Sequence, residues 1–130
     1  MILGKFFESR GDLIWLIARI VFGGMFALHG LSKFGIPTGT PATDMLFIVG
    51  GIIEIAAGIA VLAGFLTRLA GLAGVLQMAV ALAMFHLPRG FDPLNNGELA
   101  FLFLAFFLVV LAYGSGKYGL EKMALKKELL

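Results

Sequence analysis

MLFIVGGIIEIAAGIAVLAGFL, residues 45–66, is the stretch that decides how this chain is read. Its only ionisable side chain is Glu54, in an otherwise apolar run. A helix rises about 1.5 Å per residue, and about 20 apolar residues cross the hydrocarbon of a bilayer. The run therefore has the length of a membrane span, with a carboxylate near its middle. Upstream, residues 13–34 form a similar stretch, entered through Asp12 as a candidate N-cap. It stops at GIPTGTPATD (35–44), where two Pro and two Gly break any helix. Downstream, Thr67 and Arg68 make a short polar break before a third apolar stretch at 69–87. Pro88, Arg89, Gly90 and Pro93 mark a loop, and a fourth stretch covers 97–113 before GSGKYG (114–119) ends it. The fourth is short for a span, which calls for tilt or local thinning of the bilayer. The expected fold is all-α, an antiparallel four-helix transmembrane bundle occupying residues 1–121. LEKMALKKELL (120–130) alternates apolar residues with Lys at near-helical spacing, and from residue 122 it is expected to be a short amphipathic cytoplasmic tail on the membrane surface.

Composition agrees. Of 130 residues 60% are hydrophobic and 14% charged, against roughly 25% charged in a soluble domain. With thirteen Phe and a mean hydropathy of +1.00, polar residues are too few to wrap the chain in water. The N-terminal MILGKFFESRGD is too charged for a signal h-region, and no small-x-small cleavage site follows, so the first helix is expected to be retained. Lys5, Arg10, Arg68, Lys117, Lys122, Lys126 and Lys127 fall on one side of a four-span arrangement; Lys33 and Arg89 fall on the other. That imbalance puts both termini in the cytoplasm of a plasma-type membrane, and it reads as orientation rather than nucleic-acid binding. Small residues recur at helical spacing (Gly23 with Ala27; Gly50, Glu54 and Gly58; Ala70, Gly74 and Met78), where backbones can approach closely in lipid.

Ionisable side chains inside a membrane are costly unless paired or hydrated, so they carry the information about chemistry. Arg19 lies about two turns into the first span, with His29 and Lys33 in its outer third. Glu54 and Gln77 lie near mid-depth in the second and third spans. His86 closes the third on the outer side and Glu98 opens the fourth there. At about 100° per residue, Arg19, Phe26, Gly30 and Lys33 share one face, with His29 at its edge. The expectation is one interior polar pocket, with Glu54 paired to Arg19 or His29, and Glu98 to Lys33 or His86. Lys33 and Glu98 also suit interfacial snorkelling, Arg19 could reach the cytoplasmic phosphates, and His86 before Pro88 could be a helix cap. With no Cys, disulfides, thiol redox chemistry and thiolate metal sites are excluded. Gly114-Ser-Gly-Lys117 is not a phosphate loop: the earlier Gly is absent and Tyr118 stands where Ser or Thr is needed. Two His with scattered carboxylates make no metal site, and no metal is expected. A bis-His haem between His29 and His86 is disfavoured, because lone intramembrane His are more often members of hydrogen-bond networks.

Several of these residues fall in an ordered pattern. Arg19-Ile-Val-Phe-Gly-Gly-Met-Phe-Ala-Leu-His29-Gly-Leu-Ser-Lys33 resembles the first helix of the DoxX family. Gly50-Gly-Ile-Ile-Glu54-Ile-Ala-Ala-Gly58 resembles its second, followed by the turn Gly64-Phe-Leu-Thr67-Arg68. His86, Asn96-Gly97-Glu98 and Tyr113-Gly114-Ser-Gly116-Lys-Tyr-Gly-Leu-Glu121 complete the match, over about residues 13–121. The family's closing motif more often carries Pro, Ser and Asp where Ser115, Gly119 and Glu121 stand here. The resemblance implies a four-helix membrane protein linked to quinone or redox metabolism, with relatives that include a small subunit of thiosulfate:quinone oxidoreductase.

Three functions remain open at this point. One is a membrane subunit of a quinone-linked oxidoreductase, not a complete enzyme by itself. In it His29 or His86 would donate to a quinone carbonyl, Glu54 or Glu98 would relay protons, Arg19, Lys33 and Gln77 would complete the polar lining, and Phe22, Phe26 and Phe85 would form an apolar slot. Another is a non-catalytic scaffold that recruits redox or stress-response partners. The third is a small-solute or proton carrier. A homo-oligomer or a complex with a redox enzyme is expected in each case.

Overall fold

The computed structural model describes residues 2–90, 92, 94 and 97–129. Met1, Leu130, and the loop and helix-opening positions Pro93 and Asn96 lie outside the described residues. Among the described residues all regular structure is helical: α1 (Ile2–Glu8), α2 (Gly11–Ser32), α3 (Met45–Ala63), α4 (Thr67–Ala81), α5 (Glu98–Tyr113) and α6 (Leu120–Leu125). α4 runs on through a π turn (Leu82–His86) and a 3-10 turn (Leu87–Arg89). Three stretches are long and apolar enough to cross a membrane: Gly11–Ser32, Met45–Ala63 and Thr67–Arg89. α5 is apolar but shorter, at 16 residues.

Local chemistry explains the boundaries and moves some from where periodicity put them. α2 begins at Gly11, so Asp12 lies in its first turn, favourable beside the helix dipole, rather than capping it. Asp44 caps α3, its carboxylate accepting from the Leu46 N–H at 2.8 Å. α3 ends at Ala63, three residues early, because Gly64 turns left-handed at φ 71°. The Gly64 N–H then reaches Val61 O at 3.2 Å and the Phe65 N–H reaches Ala60 O at 3.0 Å, a Schellman turn. Leu66 is left-handed too, and α4 starts at Thr67 instead of residue 69. The π turn holds an extra residue per turn and re-aims Phe85 and His86, a displacement that helical periodicity does not encode.

The molecule's apolar residues divide between two solvents. Ile17, Val21, Met25 and Leu28 of α2, Ile52 and Ile59 of α3, Leu72 and Leu76 of α4, and Leu102 and Leu108 of α5 are exposed on the outside. So continuous an apolar surface suits lipid rather than water. Inside, Phe26, Val61, Phe107 and Val110 are fully buried, one or more from each of α2, α3 and α5, with Ala70 and Met78 from α4. Phe22 stacks on Phe106 at 4.4 Å and Phe26 meets Phe107 edge-on at 4.6 Å, so aromatic pairs join α2 to α5.

α2 and α3 cross at backbone contact. A Cβ on Gly58 would lie 2.5 Å from Ala27 N and 2.6 Å from Gly23 O, and one on Gly23 would lie 2.7 Å from Leu62 N. Close backbone approach was expected at Gly23 with Ala27 and at Gly58, and the structure sets these two sets against each other. Gly74 instead receives the Phe107 ring, and Gly51, not Gly50, faces α2. Neighbouring helices run in opposite directions: Lys33, near the end of α2, meets Glu54, and Arg19, near its start, meets Val61 further along α3.

Candidate functional site

A cavity of about 930 Å³ opens between α3 and α4 at the end away from their connecting turn. Its walls bring together the end of α2 (His29, Lys33), the first half of α3 (Phe47, Gly50, Glu54), the end of α4 and its π turn (Gln77, Phe85, His86), Arg89, and the start of α5 (Glu98, Phe103). Most of the lining is apolar, and three of its polar side chains, Lys33, Glu54 and Gln77, are joined to one another as a polar wall.

Glu54 organises that wall. Its side chain is only 2% exposed, and one carboxylate oxygen is bound by the Lys33 ammonium. The other accepts from Gln77 Nε2 at 2.8 Å, and the same amide nitrogen donates to Gly50 O at 3.0 Å. Two acceptors on Nε2 fix which way the amide points. Gln77 Oε1 is left buried, with no hydrogen-bond partner in the protein. His29 lines the same cavity, its ring 6.4 Å from that of Phe103. Phe47 packs on Phe85 with ring centroids 5.2 Å apart, forming an aromatic ledge. His86 lies beside Gly97, where a Cβ would come within 3.3 Å of it, so the π turn rests against the start of α5.

Not every residue expected in this pocket is there. His29, Lys33, Glu54, Gln77, Phe85, His86 and Glu98 line the cavity. Arg19 does not, and the expected Arg19–Glu54 pair is replaced by Lys33–Glu54. Nor does Arg19 reach out to lipid phosphates: it is fully buried at the opposite end of the helices. Phe26 belongs to the aromatic core, and Phe22 lines a separate, smaller cavity. Lys33 is only 17% exposed and is committed to Glu54 rather than snorkelling or pairing with Glu98. Phe47, Arg89 and Phe103 were missed. Phe47 and Gly50 precede Glu54 by seven and four residues and share its helical face, which was a usable signal.

Sequence reading also missed a second polar cluster, at the other end. Arg19 Nη1 donates to Val61 O at 3.0 Å and Nη2 to Tyr118 O at 3.1 Å. Trp15 Nε1 donates to Gly114 O at 3.1 Å. Glu121, 1% exposed, accepts from the backbone N–H groups of Leu66 and Leu129, both at 3.2 Å, and its own N–H donates to Gly64 O at 3.1 Å. Arg68 donates to Leu111 O at 2.6 Å and pairs with Glu128 at 3.2 Å. The segment after α5 therefore does more than end a helix. It ties the α3–α4 turn to the start of α2. A carboxylate in the otherwise apolar Tyr118-Gly-Leu-Glu121 was the available hint.

A family model described as DoxX matches residues 14–87, which contain α3, α4 and nearly all of α2, together with most of the cavity's polar wall. An uncharacterized protein of Haemophilus influenzae is 36% identical over 119 residues, covering 84% of this chain and 89% of that protein. No solved structure matches the chain.

Proposed function

The chain belongs to the DoxX family of membrane proteins, and from that premise we propose that it is the membrane subunit of a quinone-linked redox system, with the α3–α4 cavity as the quinone-head site. The observation that carries the reading is the pairing of a half-buried cation with an unclaimed acceptor. Lys33 Nζ and the His29 imidazole offer donors, while Gln77 Oε1 lacks one. A head group that alternates between carbonyl and hydroxyl uses both kinds of partner, and a half-apolar cavity with a few convergent polar groups is the form such sites take. A bound quinone supplies a ring that takes up two electrons and two protons. In this chain Lys33 and His29 orient a carbonyl oxygen, Gln77 Oε1 receives a hydroxyl, and Phe47 and Phe85 hold the ring's flat face. Glu54, joined to Lys33, and Glu98 at the mouth are the groups placed to hand on protons. The electrons come from a partner enzyme, since the chain has no thiol chemistry of its own.

The test is to extract and identify quinone from protein purified in native lipid, then to titrate quinone back into emptied nanodiscs. His29→Ala and Gln77→Leu should each weaken binding about tenfold, the cost of one hydrogen bond left unmade in an apolar site. Wild-type protein that carries no quinone and takes none up sinks the reading. A scaffold role then becomes the better account, because the exposed Lys117, Lys122, Lys126 and Lys127 form a cationic surface beside α6 for a partner to use.

In the membrane, we take α2, α3, α4 with its π turn, and a tilted α5 as four spans, with both termini cytoplasmic. The seven cations at the end that carries the termini support that orientation. Because the chain contains no Cys, a single introduced thiol reports its own side. Ser9→Cys should react with an impermeant maleimide only after lysis, and Thr38→Cys in intact cells. The opposite pattern reverses the orientation.

A further inference from the structure

A second cavity of about 330 Å³ lies between α2 and α5, and three residues, His29, Leu99 and Phe103, line both it and the larger one. Its remaining wall is almost wholly apolar and faces outward: Val21, Met25 and Leu28 are each more than half exposed. The α2 and α5 backbones stand apart along most of their length and are bridged by aromatic side chains, from Trp15 with Tyr113 to His29 with Phe103, which leaves a cleft on the outer side. The partition between the two cavities is the His29 and Phe103 rings, 6.4 Å apart and inclined at 42°. We propose that the two cavities are one bipartite site for an amphiphile, its polar head against Lys33, Glu54 and Gln77 and its apolar tail passing the His29–Phe103 pair into the α2–α5 cleft. The proposal rests on the quinone reading and adds to it the route of the tail and the class of ligand, an isoprenoid-tailed quinone.

The chemistry of the two lobes supports one occupant. The larger lobe holds the polar groups, and the smaller offers an aromatic and aliphatic groove that opens on lipid. Outside the cleft the tail would already be in hydrocarbon, so the groove gains nothing from removing it from water. What it supplies is close contact with fixed side chains, which fixes the tail's position more than it raises affinity. The informative measurement is therefore where the tail lies.

The experiment uses the full chain in nanodiscs and a benzoquinone whose short isoprenoid tail ends in a diazirine. After irradiation, labelled peptides are located by mass spectrometry. Binding of the same ring with no tail is measured alongside. Label should concentrate on residues 21–32 and 99–103 and be competed away by excess unlabelled tailed quinone. Met25→Trp, which fills the cleft from its lipid-facing side, should cut that label about tenfold while leaving tailless-ring binding unchanged. Label on Ile53, Leu76 and Val80 instead, or label indifferent to Met25→Trp, overturns the tail route while head binding stands. Competed cleft labelling without any tailless-ring binding keeps the cleft as an amphiphile site and removes the head-site reading. Loss of both removes both.

Discussion

Lys33→Met is expected to destabilise the protein by about 3–5 kcal/mol, because it leaves a carboxylate in the interior without its cation. Glu54 has nowhere to go: its side chain is 2% exposed in the middle of α3, and Gln77 satisfies only one of its oxygens. The reciprocal change, Glu54→Leu, should cost less, about 2 kcal/mol. Lys33 sits at the end of α2, and its long stem can carry the ammonium toward the membrane surface. Combining the two should bring stability back to within about 1 kcal/mol of wild type, since two apolar side chains of similar volume replace a desolvated pair. Reversible unfolding of all four proteins in bicelles, read as a double-mutant cycle, checks this ordering. Additive single effects, each below about 0.5 kcal/mol, would mean that the pair contributes no coupling and that the polar wall is not held by it.

Gly58→Val should be the most damaging change outside the cavity, costing about 3 kcal/mol or more. The new Cβ would sit 2.5 Å from Ala27 N and 2.6 Å from Gly23 O. Both are backbone atoms in a helix, so no rotamer change relieves the clash and α2 must move away from α3. Gly24→Val is the control. It lies one residue from Gly23, but its Cβ would meet only Leu62 Cδ1 at 3.6 Å, and the expected change is within about 0.5 kcal/mol. Melting in detergent followed by size-exclusion profile separates the two. Equal behaviour of Gly58→Val and Gly24→Val would show that the α2–α3 crossing is looser than described.

The helices were legible in the sequence because lipid imposes a simple rule: long apolar runs with turn residues between them. Their ends were less so. Phe65 and Leu66 are as apolar as the span before them, and only the left-handed Gly64 separates them from α3. The cavity's polar residues were also legible, since an isolated Glu54 or Gln77 in hydrocarbon invites a partner. Which partner was not. A helical wheel places residues by angle and ignores depth. Arg19 and Lys33 share a face but lie about 21 Å apart along the axis, fourteen residues at a rise of about 1.5 Å. Glu54 can meet one of them, and the antiparallel register gives it Lys33. The π turn left no periodic signal to read, whereas α1 did: Ile2, Leu3, Phe6 and Phe7 fall at helical spacing that the reading of that segment by charge alone passed over.

The contacts from Trp15 to Gly114 and from Arg19 to Tyr118 each join positions 99 residues apart. During synthesis α2 enters the bilayer long before those carbonyls leave the ribosome. Its guanidinium must wait, served only by water or by the translocation machinery, until the segment after α5 has emerged. Closure of the fold thus waits on Tyr118, and a product broken off ahead of that residue would carry an arginine in α2 that has lost one of its two carbonyl partners.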